Sequence, residues 1–218
     1  LEVDKKDIRV LQKLGELYSR KNQKEDAINY LSKAAQFLYK DGFYSKAVAL
    51  YSQILKIDED QIEAVKSLGD CYMKLGLNAQ AMAQFKRIAT QYEREGKLQE
   101  ALDITQNMLD MDPRNHVLAT KLAELNYKLG KKDEGYQAFM RALDQLHEDG
   151  HYEQYVKLRE KLIKIDPENM ENLKELAPIY IDHEQWDKAY AVLNRIYKNE
   201  PEELEYLSQL AKAALKVG

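Results

Sequence analysis

The chain has 218 residues, 44% of them hydrophobic and 32% charged, with a formal net charge of -4. That length suffices for a sizeable core, the apolar runs are too short for a transmembrane helix, and the charge balance excludes a global basic field for nucleic acid or anionic lipid. Nine glycines and four prolines argue against turn-rich β-folds and disordered sequence, and the single Cys71 excludes an internal disulfide framework and suits a reducing cytoplasm. The chain opens on Leu1 with no charged-then-apolar signal segment, which reads as a piece of a larger protein.

From the N-terminus, Leu11, Leu14, Gly15 and Tyr18 follow the i, i+3, i+4, i+7 spacing of an amphipathic helix, predicted over about residues 6–20. A second helix over about 24–40 stops at Gly42, where a left-handed residue ends it, and a third over about 43–57 stops at Asp58. The same three elements, termed A, B and C, then return. Gly15, Gly69, Ala123 and Ala177 stand 54 residues apart, as do Ala27, Ala81, Gly135 and Ala189. Gly42, Gly96 and Gly150 keep that interval, and so do Asp58, Asp112 and Asp166, the last two followed by Pro113 and Pro167. A residue before proline is pushed out of helical geometry, so these prolines and Pro201 read as helix stops. The expected periods are 5–58, 59–112, 113–166 and 167–201, closed by a C-terminal helix at 202–217.

Leu14-Gly15-x-x-Tyr18, Leu68-Gly69-x-x-Tyr72 and Leu176-Ala177-x-x-Tyr180, with Ala81-x3-Phe85, Ala27-x3-Leu31 and Ala189-x3-Leu193, resemble the tetratricopeptide repeat, a helix-turn-helix unit of 34 residues. The third period departs from it, with Asn126 at the aromatic position and Tyr127 beside it. Small residues on successive second helices alternate by 20 and 34 residues, so helix B is read as serving two overlapping hairpins in a 54-residue, three-helix unit. The resemblance implies an all-α solenoid of antiparallel helices, about twelve in number, in a right-handed superhelical array forming a single domain over 1–218.

Lining up the four periods assigns most singular residues to packing. Cys71 shares a column with Leu17, Leu125 and Ile179, and His116 with Ile8, Ile62 and Met170; both read as core or core-edge residues. Tyr18, Tyr72 and Tyr180 likewise read as core. His147 and His151 have ligand spacing, but Gly150 interrupts the helix and no third ligand joins them. No nucleophile elbow, phosphate loop, dinucleotide fingerprint or zinc motif occurs, so neither catalysis, metal nor cofactor is expected. Pro178, in the middle of a helix A, is expected to bend it or break a hydrogen bond.

The resemblance further implies that the face of helices A holds a peptide or a folded partner. Carried over position by position, that face comprises Gln12, Glu16 and Ser19; Lys66, Asp70 and Met73; Thr120, Glu124 and Tyr127; and Lys174, Pro178 and Ile181. Of these, Lys66, Asp70, Met73, Thr120, Glu124, Tyr127, Lys174 and Ile181 are the candidate partner-binding residues. Relatives that clamp a terminal carboxylate carry Asn where this chain has Glu16, Asp70 and Glu124, which argues against that mode. The acids also precede Arg20, Lys74 and Lys128 by four residues, which fits ordinary helix-surface pairs. Met73, Tyr127 and Ile181 lie on the flank of the core stripe, facing either a partner or a neighbouring helix. The sequence thus reads as a non-catalytic, cytoplasmic protein-binding scaffold. Alternatives are a regulatory or targeting module of a larger protein, self-association through the C-terminal helix by Leu207 and Leu210, and RNA binding, which the charge disfavours.

Overall fold

In a computed structural model, residues 5–218 are described, with side chains from Asp7 onward. They form twelve helices: α1 Lys5–Arg20, α2 Lys24–Lys40, α3 Tyr44–Ile57, α4 Ile62–Lys74, α5 Asn78–Arg94, α6 Leu98–Met111, α7 His116–Lys128, α8 Lys132–Glu148, α9 Tyr152–Ile165, α10 Met170–Asp182, α11 Trp186–Asn199 and α12 Leu204–Val217. The helices group into two compact units, Leu1–Pro113 and Arg114–Gly218. Within each unit, every helix packs on its neighbour in sequence.

The stops act through backbone geometry. Gly42, Gly96 and Gly150 adopt φ of 78°, 74° and 70° after α2, α5 and α8. Asp112, Asp166 and Glu200, each followed by proline, leave the helix at φ of -138°, -131° and -133°. Downstream of Pro113 and Pro167, the side chains of Asn115 and Asn169 cap α7 and α10 by accepting from the backbone N–H of Leu118 and Asn172 at 3.1 and 2.9 Å. A further left-handed position, not anticipated from the sequence, closes every A-to-B turn, at Asn22, Gly76, Gly130 and Glu184. Pro178 does not terminate α10, which continues to Asp182 with the proline ring exposed.

In the first unit, Leu31, Ala34 and Ala35 of α2 pack with Ala47, Leu50, Tyr51 and Ile54 of α3 and with Leu68 and Cys71 of α4. Cys71 is fully buried, and burial pushes its thiol pKa up to about 11. Its column mate Leu17 departs from the core reading, with 52% exposure. In the second unit, Leu173, Leu176, Ala177 and Tyr180 of α10 pack with Ala189, Val192, Leu193 and Ile196 of α11 and with Ala213 of α12.

The small-residue columns mark close helix crossings. A Cβ at Gly15 would lie 2.6 Å from Leu31 Cγ, and one at Gly69 would lie 2.8 Å from Phe85 Cε1. The third period reverses this arrangement. Helix A carries Ala123, and helix B supplies the glycine, Gly135, whose Cβ would lie 2.5 Å from Tyr127 Cδ2. The Tyr127 ring fills that space and leans on Phe139 with centroids 5.9 Å apart.

Candidate partner-binding site

The eight residues expected on the A-helix face fall into two groups, one in each unit. In the first unit all three lie on α4. Lys66 is exposed, Met73 is 44% exposed, and Asp70 is half-buried between them. Burial raises the Asp70 pKa, and the positive charges of Lys66 and Lys74 only partly offset that rise. Among the described residues Asp70 has no hydrogen-bond or ion-pair partner, so the i,i+4 pairing with Lys74 expected from spacing is not formed. Tyr39 of α2 and Tyr51 of α3 are near enough that the Asp70 charge adds to the burial that raises their phenol pKa values.

In the second unit the equivalent groups are engaged inside the fold. The Thr120 hydroxyl donates to the His116 carbonyl at 2.7 Å within α7. Glu124 forms an ion pair with Lys161 of α9. The Tyr127 hydroxyl donates to Asp166 Oδ2 at 3.4 Å, and burial followed by the Asp166 charge pushes its pKa up to about 12. Lys174 Nζ lies 2.6 Å from Glu200 Oε2 and over the Tyr206 ring. Ile181 packs, half-buried, against the α10–α11 core.

Around these groups runs a set of polar fasteners that sequence reading missed. Arg159 of α9 is 4% exposed. Its Nε donates to the Tyr155 hydroxyl at 2.8 Å, its Nη1 to Asn172 Oδ1 at 3.3 Å, and its Nη2 lies 3.6 Å from Glu175. Asn172, fully buried, donates back to the Arg159 carbonyl at 3.0 Å. Glu160 accepts from Lys188 at 2.7 Å and from Tyr180 at 3.0 Å, and the Lys188 bond leads in lowering its pKa. The Tyr136 hydroxyl donates to Glu171. An Arg at position 159, in the column of Tyr51 and Thr105, was the available signal.

The four histidines all lie in the second unit, in two aromatic groupings. His116 faces His151 with centroids 6.4 Å apart, His147 faces Tyr155 at 5.9 Å, and Tyr152 links Tyr155 to His183 at 6.4 and 5.8 Å. Among the described residues, no three His, Cys, Asp or Glu side chains are placed to hold a metal ion. No described helix is long and apolar enough to cross a membrane. In the first unit, a cleft of about 550 Å³ lies between α1 and α3, lined by Arg9, Gln12, Leu38, Phe43, Lys46 and Gln53 among others.

This geometry is a repeated series of helices, each packed on its neighbour in sequence within its unit. Two tetratricopeptide repeat family models match the sequence, over residues 8–37 and 38–95. Residues 8–95 are therefore similar to tetratricopeptide repeats. The chain is 25% identical over 231 aligned residues to the TPR repeat-containing protein YpiA of Bacillus subtilis, covering 97% of this chain and 52% of that protein. It thus spans about half the length of that relative. A stretch of 90 residues is 32% identical to Superkiller complex protein 3 of Mus musculus, covering 35% of this chain and 6% of that protein. Among solved structures, the Rap conjugation gene regulator of plasmid pLS20 in complex with the Phr* peptide aligns with a TM-score of 0.41 and 14% identity, over 99% of this chain and 63% of that one.

Proposed function

We propose that this chain is a non-catalytic, cytoplasmic protein-interaction scaffold that binds a peptide or protein segment on the face of its A helices, centred on α4. The observation that carries the reading is the pairing of a 44%-exposed Met73 with a half-buried, unpartnered Asp70 one turn away. An apolar anchor beside a polar group in want of a partner is what a recognition surface presents. The unit of this scaffold is the 54-residue, three-helix period. Helices α4, α7 and α10 beginning at residues 62, 116 and 170 support that period. The small-residue columns running through residue 113 support treating the chain as a single repeat domain.

Photo-crosslinking from position 73 in a source lysate, followed by mass spectrometry, tests the surface. The wild type and a Lys66→Glu, Met73→Glu variant of unchanged helicity are compared in parallel pull-downs. One protein that crosslinks at 73 and is lost from the variant supports the scaffold; retention of that protein by the variant refutes the α4 face. The regulatory-module alternative differs only in what the full gene encodes beyond this segment, and reading the flanking sequence decides it.

A second reading, self-association, draws on α12. Its inward stripe of Tyr206, Leu210 and Ala213 serves the core, while Leu204 and Leu215 on the other side are 75% and 86% exposed and Leu207 is 38% exposed. Light scattering across a concentration series, repeated with Leu204→Lys, Leu215→Lys, tests it. A mass that stays monomeric throughout removes this reading.

A further inference from the structure

The third period shows how this fold neutralises an acid on the A-helix face, and the second period lacks the neutralising group. Glu124 of α7 is half-buried and takes its counter-charge from Lys161 of α9. One period earlier, Asp70 of α4 occupies the place of Glu124, and the place of Lys161 is taken by Asn107 of α6. Asn107 carries no charge. Asp70 therefore keeps the half-buried setting of its counterpart without the internal cation.

The remaining cations near Asp70 do not fill that role. Lys66 and Lys74 sit one turn to either side on the same helix, and neither forms an ion pair with it. Their positive charges lower the carboxyl pKa, but burial prevails and the pKa is raised. A half-buried carboxylate with vacant acceptor sites is costly to leave unpaired. The surrounding groups suit a cation. The half-buried Tyr39 phenol of α2 lies within electrostatic reach of the carboxylate. Met73 offers apolar surface one turn on, suited to the methylene stem of a long basic side chain.

We propose that the Asp70 carboxylate is a subsite for a lysine or arginine side chain of a bound peptide, which takes the place that Lys161 holds against Glu124. The proposal rests on the α4 face being the binding surface, and it adds the chemical class of the partner: a peptide with at least one basic residue beside an apolar one. The surface is selective in the sense opposite to a carboxylate clamp, because an acidic group placed at Asp70 would meet a like charge.

The test uses random twelve-residue peptides displayed on phage and selected against the full chain. The highest-ranking peptide is then synthesised with a fluorophore, and its affinity is measured by anisotropy. The expected result is enrichment of Lys or Arg at one position, with affinity falling about tenfold or more for Asp70→Asn, since truncating one partner of a desolvated charge pair weakens binding strongly. Glu153→Gln, an exposed acid of α9 outside the proposed surface and already paired with Lys157, leaves affinity within about twofold of wild type. Helicity and melting temperature of both variants confirm that they fold. Selection of peptides without a basic position, or binding indifferent to Asp70→Asn but lost in Met73→Glu, overturns the cation subsite and leaves the α4 face standing. Binding indifferent to both substitutions, or no selectable peptide, overturns the subsite and the α4 face together.

Discussion

Gly135→Ala is a sharp test of the packing argument, because two opposing effects of known size meet at one atom. In a helix interior, alanine is favoured over glycine by about 1 kcal/mol, so propensity alone makes the substitution stabilising. The added Cβ, however, would lie 2.5 and 2.8 Å from Tyr127 Cδ2 and Cε2, and 3.2 Å from the Ala123 carbonyl oxygen. The ring has little room to yield, since it rests on the fully buried Phe139 and its hydroxyl bonds to Asp166. Overpacking of this kind costs about 1–3 kcal/mol, and a rigid ring facing a backbone carbonyl places it toward the upper end. The expected net effect is a destabilisation of about 1–2 kcal/mol, with the clash exceeding the propensity gain. Urea denaturation followed by circular dichroism measures it, with Tyr127→Ala as the second arm of a double-mutant cycle. Without the ring, Gly135→Ala should change sign and stabilise by a few tenths to about 1 kcal/mol. A stabilising Gly135→Ala in the wild-type background, or the same effect in both backgrounds, would show that Tyr127 is not what requires glycine there.

Glu184 holds φ of 54° where Gly76 and Gly130 stand in other periods, so Glu184→Gly should raise stability by about 0.5–1 kcal/mol, the relief of a left-handed residue less the added freedom of the unfolded chain; an unchanged or lowered melting temperature contradicts this. Cys71, buried and with its pKa near 11, should resist iodoacetamide at pH 8 and react only when the first unit opens, so a modification rate that ignores added urea would refute its burial. Asp70 has its folded pKa raised, so the folded state binds more protons than the unfolded state in the window above pH 3.8, and the ionised carboxylate lowers stability as pH rises through its folded pKa. Asp70→Asn should therefore raise the stability at pH 7, by less than about 1 kcal/mol for a half-exposed group, with the gain vanishing on acidification; a variant less stable at pH 7 than at pH 4 relative to wild type reverses the sign and refutes the argument. Asn172→Leu removes the acceptor for the buried Arg159 guanidinium and should cost about 3–5 kcal/mol, read by thermal melts, whereas a loss below 1 kcal/mol would mean that Tyr155 and Glu175 suffice.

The helix count, the helix limits and the helix-B stops were legible because they depend on local signals that a repeat states several times over. The expected spans 6–20, 24–40 and 43–57 stand against α1, α2 and α3 at Lys5–Arg20, Lys24–Lys40 and Tyr44–Ile57. The A-to-B turns were not read as left-handed because Asn22 and Glu184 hide the conformation that Gly76 and Gly130 display. The candidate site was legible only as a set of positions. Spacing along a helix places a residue on a face, but it does not say whether a side chain from another helix will reach it. Glu124 and Lys174 were placed beside i,i+4 neighbours or solvent, and they pair with Lys161 and Glu200, 37 and 26 positions away. Tyr127 carried an equal claim to groove and core, and the question turned on the absence of a single Cβ at Gly135.

Internal repeats supply a control that a single fold rarely offers, since one backbone pattern is solved with different side chains in successive periods. A column that stays small or apolar reports packing, and the exchange of Gly69–Phe85 for Ala123, Gly135 and Tyr127 shows that the crossing must be relieved on one helix or the other. An acid kept at one position in three of the four periods while its counter-charge changes is different, because packing alone does not require the acid. At Glu124 the charge is met by Lys161; at Asp70 only the helix neighbours Lys66 and Lys74 act on it, without an ion pair, and burial still raises its pKa, so asparagine would fill the same space at a lower desolvation cost. A residue that costs stability without an ion-pair partner is where folding and function part company, and that criterion is why the proposed binding surface is centred on α4 rather than α7.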